Sequence, residues 1–141
     1  LHTTSGTVKI HLFSDKAPKT VNNFVFLARN RWFENNMFFN VTPSVMLQTG
    51  DPSGTGFGNP GYYIANEQTG YIYDRAGLVG MANAGIDTNG GQFLISLAPI
   101  PQFNNQYPVF GEVVSGMDVL FQLASNKQAP PILLSVDIEE K

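Results

Sequence analysis

The stretch Met37 to Tyr62, M-F-F-N-V-T-P-S-V-M-L-Q-T-G-D-P-S-G-T-G-F-G-N-P-G-Y, decides how the rest of the chain is read. Its first half predicts two short apolar strands, Phe38–Val41 and Val45–Gln48, hinged at Pro43. Its second half is a loop carrying Gly54, Gly56, Gly58 and Gly61. Strand walls beside a long Gly-rich loop are a setting for a binding groove.

Outward from there, Gly6 to Phe13 alternates apolar Val8, Ile10 and Leu12 with polar Lys9 and His11, which predicts a half-buried strand. S-D-K-A-P-K-T then opens a helix, with Asp15 as the expected N-cap and Pro18 in the first turn. Val21, Phe24, Val25 and Ala28 follow at helical spacing, and the helix is expected to end near Asn30. Residues 51–76 read as a loop region. Further strands are predicted at Gly77–Met81, Gln92–Leu97, Val109–Val113 and Leu133–Ile138. A second helix is expected over Val114–Ala124, from the spacing of Val114, Met117, Leu120, Phe121 and Ala124. Seven or eight strands, two helices and no βαβ alternation predict a mainly β fold: an eight-stranded antiparallel closed β-barrel capped by two α-helices. The first barrel strand then has to come from Leu1–Ser5.

The 141 residues suit one domain spanning 1–141. Hydrophobic residues make up 43% and charged residues 13%, a balance that opposes disorder. The net charge of −3, without a basic cluster, argues against nucleic acid as a partner. No apolar run reaches the length of a membrane span, so no membrane insertion is expected within the chain. The absence of cysteine excludes disulfides, thiolate catalysis and Cys-based zinc sites. His2 and His11, the only histidines, have no Ser nucleophile or carboxylate cluster at useful spacing, so neither metal nor cofactor is expected. The Gly54–Gly58 run lacks the Lys-Ser/Thr and the following helix of a phosphate loop. Asn40-Val41-Thr42 is formally a glycosylation sequon, but it lies in a strand pattern. The Leu start, the lack of Cys and the high Asn/Gln content lean toward an extracytoplasmic or membrane-tethered domain, any anchor lying upstream of Leu1.

Neutral amides remain. Gln48, Asn83, Gln92, Gln102 and Asn104 stand among apolar residues that include Met46, Leu94 and Phe103. Amides donate to and accept from a peptide backbone without adding charge. The pattern suggests a groove for an extended, largely uncharged peptide.

Several stretches resemble the cyclophilin family of peptidyl-prolyl isomerases. G-T-V-K-I-H-L-F-S-D-K-A-P-K-T-V-N-N-F at 6–24 is similar to the family's first strand and helix. Q-T-G-D-P-S-G-T-G-F-G-N-P-G-Y at 48–62 resembles its Gly-rich loop. G-L-V-G-M-A-N-A-G-I-D-T-N-G-G-Q-F-L-I-S-L-A at 77–98 and V-F-G-E-V-V-S-G-M-D-V at 109–119 resemble later segments. The resemblance implies a barrel with two capping helices. It also implies a peptide groove made by Phe38, Met46, Gln48, Ala82, Asn83, Ala84 and Gln92, which match the family.

Other groove positions differ from the family. Its catalytic Arg, in Phe-His-Arg-Val, is Asn40 in Phe38-Phe39-Asn40-Val41. Val45 and Leu94 stand where it has pocket Phe residues. Gln102 replaces a drug-contact Trp, Phe103 a Leu, and Tyr107 a His. The expected function is therefore binding of proline-containing or extended peptide segments, with weak or absent peptidyl-prolyl cis-trans isomerase activity. The alternatives are a competent isomerase assisting protein folding, or a non-catalytic scaffold subunit of a larger complex, whether or not at a membrane.

Overall fold

The computed structural model describes residues 1–125 and 130–140. The strands are β1 (His2–Thr3), β2 (Gly6–Thr7), β3 (Lys9–Leu12), β4 (Asn36–Met37), β5 (Asn40–Thr42), β6 (Met46–Thr49), β7 (Leu78–Met81), β8 (Phe93–Ser96), β9 (Val109–Ser115) and β10 (Ile132–Ser135). The helices are α1 (Pro18–Arg29) and α2 (Met117–Ser125). One sheet runs β2-β1-β10-β4 and the other β3-β9-β7-β8-β6-β5, every pair antiparallel.

Two strands belong to both sheets. Only Val8 separates β2 from β3, and only Phe38-Phe39 separates β4 from β5. Val8 N–H donates to the Leu1 carbonyl at 2.8 Å, and Phe38 N–H to that of Pro131 at 3.0 Å, so pairing continues across both crossings. Read through these shared strands, the ten segments make eight, and the strand order closes into a ring. The structure is thus the predicted mainly β barrel, with His2–Thr3 supplying the first strand. Closure leaves few unpaired strand edges.

Strand alternation fills the barrel. Leu47, Val79, Met81, Phe93 and Ile95 point inward and are buried. Phe24 of α1 completes the core, with its ring centroid 4.9 Å from Phe33 and 5.4 Å from both Phe93 and Phe110. Full burial of each such side chain is worth about 1.5–3 kcal/mol.

Helix α1 starts later than Asp15 predicts. Ala17 is the cap residue and offers no side-chain bond, while Asp15 is exposed. The orphan N–H groups find Glu67, 47 residues away. Its carboxylate accepts from Thr20 N–H at 2.6 Å, Thr20 Oγ1 at 2.7 Å and Lys19 N–H at 3.2 Å. A carboxylate at a helix N-terminus also opposes the helix dipole favourably.

The second helix starts later than predicted, at Met117. Strand β9 runs on to Ser115, and Gly116, at φ +97°, turns the chain before α2 begins. Leu120 and Leu123 are buried, whereas Val114 and Phe121, part of the same predicted helical spacing, are 53% and 46% exposed. Among the described residues no helix is long and apolar enough to cross a membrane.

Candidate functional site

Residues that alternate with the core point to the other face of the larger sheet. Asn40 of β5 lies opposite Gln48 of β6, and Gln48 lies opposite Leu94 of β8. Gln92 immediately precedes β8. The sheet therefore aligns three amide side chains in a row.

They form a directed relay. Gln92 Nε2 donates to the Gly56 and Gly58 carbonyls at 2.9 and 3.1 Å. Those carbonyls only accept, so Gln92 turns its oxygen the other way, to Gln48 Nε2 at 3.1 Å. Gln48 Oε1 in turn accepts from Asn40 Nδ2 at 3.2 Å. Asn40 Oδ1 accepts from Thr42 Oγ1 at 3.3 Å. The acceptor at one end sets the orientation of every amide in the chain.

Asp51 secures the Gly-rich end. Its side chain is fully buried and accepts from Ser53 N–H (2.9 Å), Ser53 Oγ (2.7 Å), Gly56 N–H (2.8 Å) and Gly58 N–H (3.0 Å). A Cβ at position 58 would overlap Asp51 Oδ1, so the close approach requires glycine. Burial raises the Asp51 pKa, but the bonds from Ser53, Gly58 and Gly56 more than offset that and hold it below its ordinary value. Behind the loop, Trp32 Nε1 donates to the Gly50 carbonyl at 2.8 Å.

An apolar cluster lies beside the relay. Met46, Ala82 and Leu94 are buried there, with Val45, Phe103 and Tyr107 partly exposed. Phe103 stands edge-on to Tyr73 (5.8 Å) and to Tyr107 (4.9 Å). Tyr73, pushed up in pKa by burial and then by Tyr107, donates its hydroxyl to the Tyr107 carbonyl at 2.8 Å. Leu94 is 1% exposed, so this wall presents Val45, Phe103 and Tyr107 to a ligand more than Leu94.

On the other side of Gln48 and Gln92 opens a groove of about 220 Å³, flanked by Ala82, Asn83 and Ala84. Ala82 N–H is tied to the Gln92 carbonyl at 3.0 Å. Asn83 spends its amide on Asn89 Oδ1 (2.9 Å) and the Gln106 carbonyl (3.0 Å), which leaves its main chain as the group to offer a peptide.

The structure thus gathers Asn40, Gln48, Gln92, Ala82, Asn83 and Ala84 around one line, with Val45, Met46, Leu94, Phe103 and Tyr107 alongside. Gln102 sits exposed on the short turn Pro101–Phe103. Phe38 lies apart: it is 2% exposed and packs in the barrel core. Its neighbour Phe39 lies against Gly56 instead. Strict alternation puts Phe38, not Phe39, on the face of Asn40, but the crossing from β4 to β5 at Phe38-Phe39 breaks it, and the sequence reading missed Phe39. It also missed Phe57, Asn59, Tyr63 and Thr88, which line the groove from distant loops. Among the described residues no three His, Asp or Glu side chains converge to hold a metal. The arginines are engaged elsewhere: Arg29 with Glu140, Arg31 with Glu34, and Arg75 with Asp74 and Glu112.

Comparison with known proteins agrees with this architecture. The family described as cyclophilin type peptidyl-prolyl cis-trans isomerase/CLD matches residues 1–140. Peptidyl-prolyl cis-trans isomerase-like 1 of Gibberella zeae is 40% identical over 85% of this chain and 76% of its own. Peptidylprolyl isomerase domain and WD repeat-containing protein 1 of Mus musculus is 38% identical over 92% of this chain, which spans 21% of that longer protein. A crystal structure of a Cryptosporidium parvum cyclophilin type peptidyl-prolyl cis-trans isomerase, in the presence of the dipeptide Ala-Pro, superimposes with a TM-score of 0.93. It shares 31% identity and covers 100% of this chain and 98% of its own. With the ring closed by shared strands and the amide row beside an apolar wall, these matches lead to one conclusion: the chain belongs to the cyclophilin type peptidyl-prolyl cis-trans isomerase family.

Proposed function

We propose that the groove binds proline-containing or extended peptide segments and turns over the X–Pro bond only weakly. The observation that carries this reading is the position of Asn40 at the head of the amide relay, its amide donating to Gln48.

Rotation about an X–Pro bond faces a barrier of about 20 kcal/mol set by amide resonance. No nucleophile or base is needed. The groove has to favour the twisted state, in which the prolyl nitrogen accepts a hydrogen bond. A guanidinium suits that task, being always charged and holding its donors in a rigid fork. Asn40 is neutral and shorter. Loss of a charge-assisted bond worth roughly 1.5–3 kcal/mol from the transition state slows turnover about tenfold to a few hundredfold. Gln48, Gln92 and the main chain at Asn83 remain as backbone partners, and Val45, Phe103 and Tyr107 as an apolar wall. The Ala-Pro dipeptide of the Cryptosporidium parvum structure supports a proline ligand for this groove too.

The test is an NMR exchange measurement on an Ala-Pro peptide, wild type beside Asn40→Arg. The expected outcome is slow exchange by wild type and at least a tenfold gain in the variant. An ordinary isomerase rate in wild type would overturn the reading. Binding with no turnover in either protein would place the defect in the Val45/Leu94 wall and favour a scaffold role.

A further inference from the structure

A second set of amides joins the loop that carries Asn83 to the loop that carries Tyr107. Asn83 Nδ2 donates to Asn89 Oδ1 at 2.9 Å, Asn89 Nδ2 to Asn66 Oδ1 at 2.7 Å, and Asn66 Nδ2 to the Gln106 carbonyl at 3.4 Å. Asn83 Nδ2 reaches the same carbonyl at 3.0 Å, so the bonds close into a ring. Main-chain groups fix every amide in it. Asn83 Oδ1 accepts from Gly85 N–H at 3.2 Å, Asn89 Nδ2 donates to the Ile64 carbonyl at 3.1 Å, and Asn66 Oδ1 accepts from Asp87 N–H at 3.3 Å. No amide can flip without setting donor against donor or acceptor against acceptor.

Asn66 is the hub of this ring. Asn89 is fully buried, and without Asn66 one of its N–H groups would be stranded. Asp87 stands at φ +64° and is held by Asn66 at two points, through its own N–H and through Oδ1, which accepts from Asn66 N–H at 2.8 Å. A non-glycine residue in that region persists where its surroundings over-determine it. The next residue, Glu67, is fastened to the start of α1, so Asn66 is anchored to a helix rather than to another loop.

The Gln106 carbonyl is one residue from Tyr107, and among the described residues it accepts from Asn66 and Asn83 alone. In the peptide-binding reading above, on which this step rests, Asn83 offers main chain and Phe103 and Tyr107 offer the apolar wall. The ring cross-links the two. We infer that Asn66 is a positioning residue for the peptide site: acting through Asn89 and Gln106 rather than on the peptide, it fixes the spacing between the Asn83 main chain and the Phe103–Tyr107 wall. A peptide that spans both binds less tightly once that spacing loosens, because the order must then be gained on binding.

Asn66→Asp separates positioning from stability. The carboxylate still accepts from Asn89 and from Asp87 N–H, so the fold is kept, but it turns an acceptor toward the Gln106 carbonyl. Protonation restores a donor there. The charged groups beside the position are Asp87 and Glu67, which wild type also carries, so wild type is the reference at each pH. In chemical-shift titrations with the peptide Ala-Ala-Pro-Ala, Asn66→Asp is expected to bind about fivefold more weakly than wild type at pH 7.5. That deficit is expected to shrink about threefold by pH 4, as the carboxyl takes up its proton. Asn66→Ser, too short to reach Gln106, is expected to show a similar deficit with no recovery in acid. Wild-type affinity in either variant at pH 7.5 overturns the positioning role and leaves the peptide-binding reading standing. A deficit of Asn66→Asp that does not change with pH also overturns it, since the bond to Gln106 is then not the cause. No binding by wild type overturns both.

Discussion

Asp51→Asn is the substitution whose effect the structure sets most narrowly. The carboxylate is fully buried, and its Oδ2 accepts from the Gly56 and Gly58 N–H groups at 2.8 and 3.0 Å. An amide of the same shape keeps the Ser53 bonds at Oδ1 but turns an NH2 toward those two donors. Flipping the amide only transfers the conflict to Ser53. Each buried N–H left without an acceptor costs about 1–3 kcal/mol. Allowing for relaxation of the loop, the expected loss is about 2–4 kcal/mol of unfolding free energy.

The effect reaches the site, because the Gly56 and Gly58 carbonyls anchor Gln92 and, through it, Gln48 and Asn40. The pH dependence follows from the sign of the shift. The pKa of Asp51 is lower in the folded state than in the unfolded chain. Its contribution is therefore fully present above the unfolded value near ~3.9 and is lost as pH falls through the folded one. Wild type should lose more stability than Asp51→Asn between pH 5 and pH 2. Urea denaturation followed by Trp32 fluorescence reads this directly, since the Trp32 indole is bonded to Gly50, next to Asp51. A loss below about 0.5 kcal/mol at pH 7, or parallel acid limbs for the two proteins, would refute the argument.

Glu67→Ala should cost about 0.5–2 kcal/mol by uncapping α1, and Glu67→Gln much less, since the amide oxygen still accepts from Thr20; thermal melts compare the two. Gly80→Ala should cost about 1–3 kcal/mol, because the new Cβ would run into the buried Tyr73 hydroxyl. Adding Tyr73→Phe should recover part of that loss, and a double-mutant cycle showing simple additivity would contradict the packing described here.

Much of the fold was legible because it rests on short-range patterns. The alternation of Val8, Ile10 and Leu12, and the helical stripe from Val21 to Ala28, are local signals of a half-buried strand and of a core-facing helix. Gln48 and Gln92 were legible as candidate site residues because neutral amides stand out in apolar segments. Phe38 was expected to line the groove, as alternation with Asn40 also suggests, but the crossing from β4 to β5 breaks that alternation, so Phe38 packs in the core and Phe39 lies beside Gly56. Val114 and Phe121 fit a helical period, yet a strand that runs to Ser115 claims the first, and the buried side of a nine-residue helix does not reach the second.

The sequence by itself determined the mainly β class, the antiparallel barrel with two helices, the absence of cysteine chemistry and the neutral Asn at position 40. These follow from residue identity and from periodicities a few residues long. Only the tertiary structure decided that Glu67 caps α1, that Asp51 holds Gly56 and Gly58, that the Asn40–Gln48–Gln92 amides run in one direction, and that Phe57 and Tyr63 face one groove. Each of these depends on hydrogen-bond geometry or on groups from separate segments meeting in space. Which groups meet is set by how the closed barrel brings distant segments together, and no local pattern encodes that.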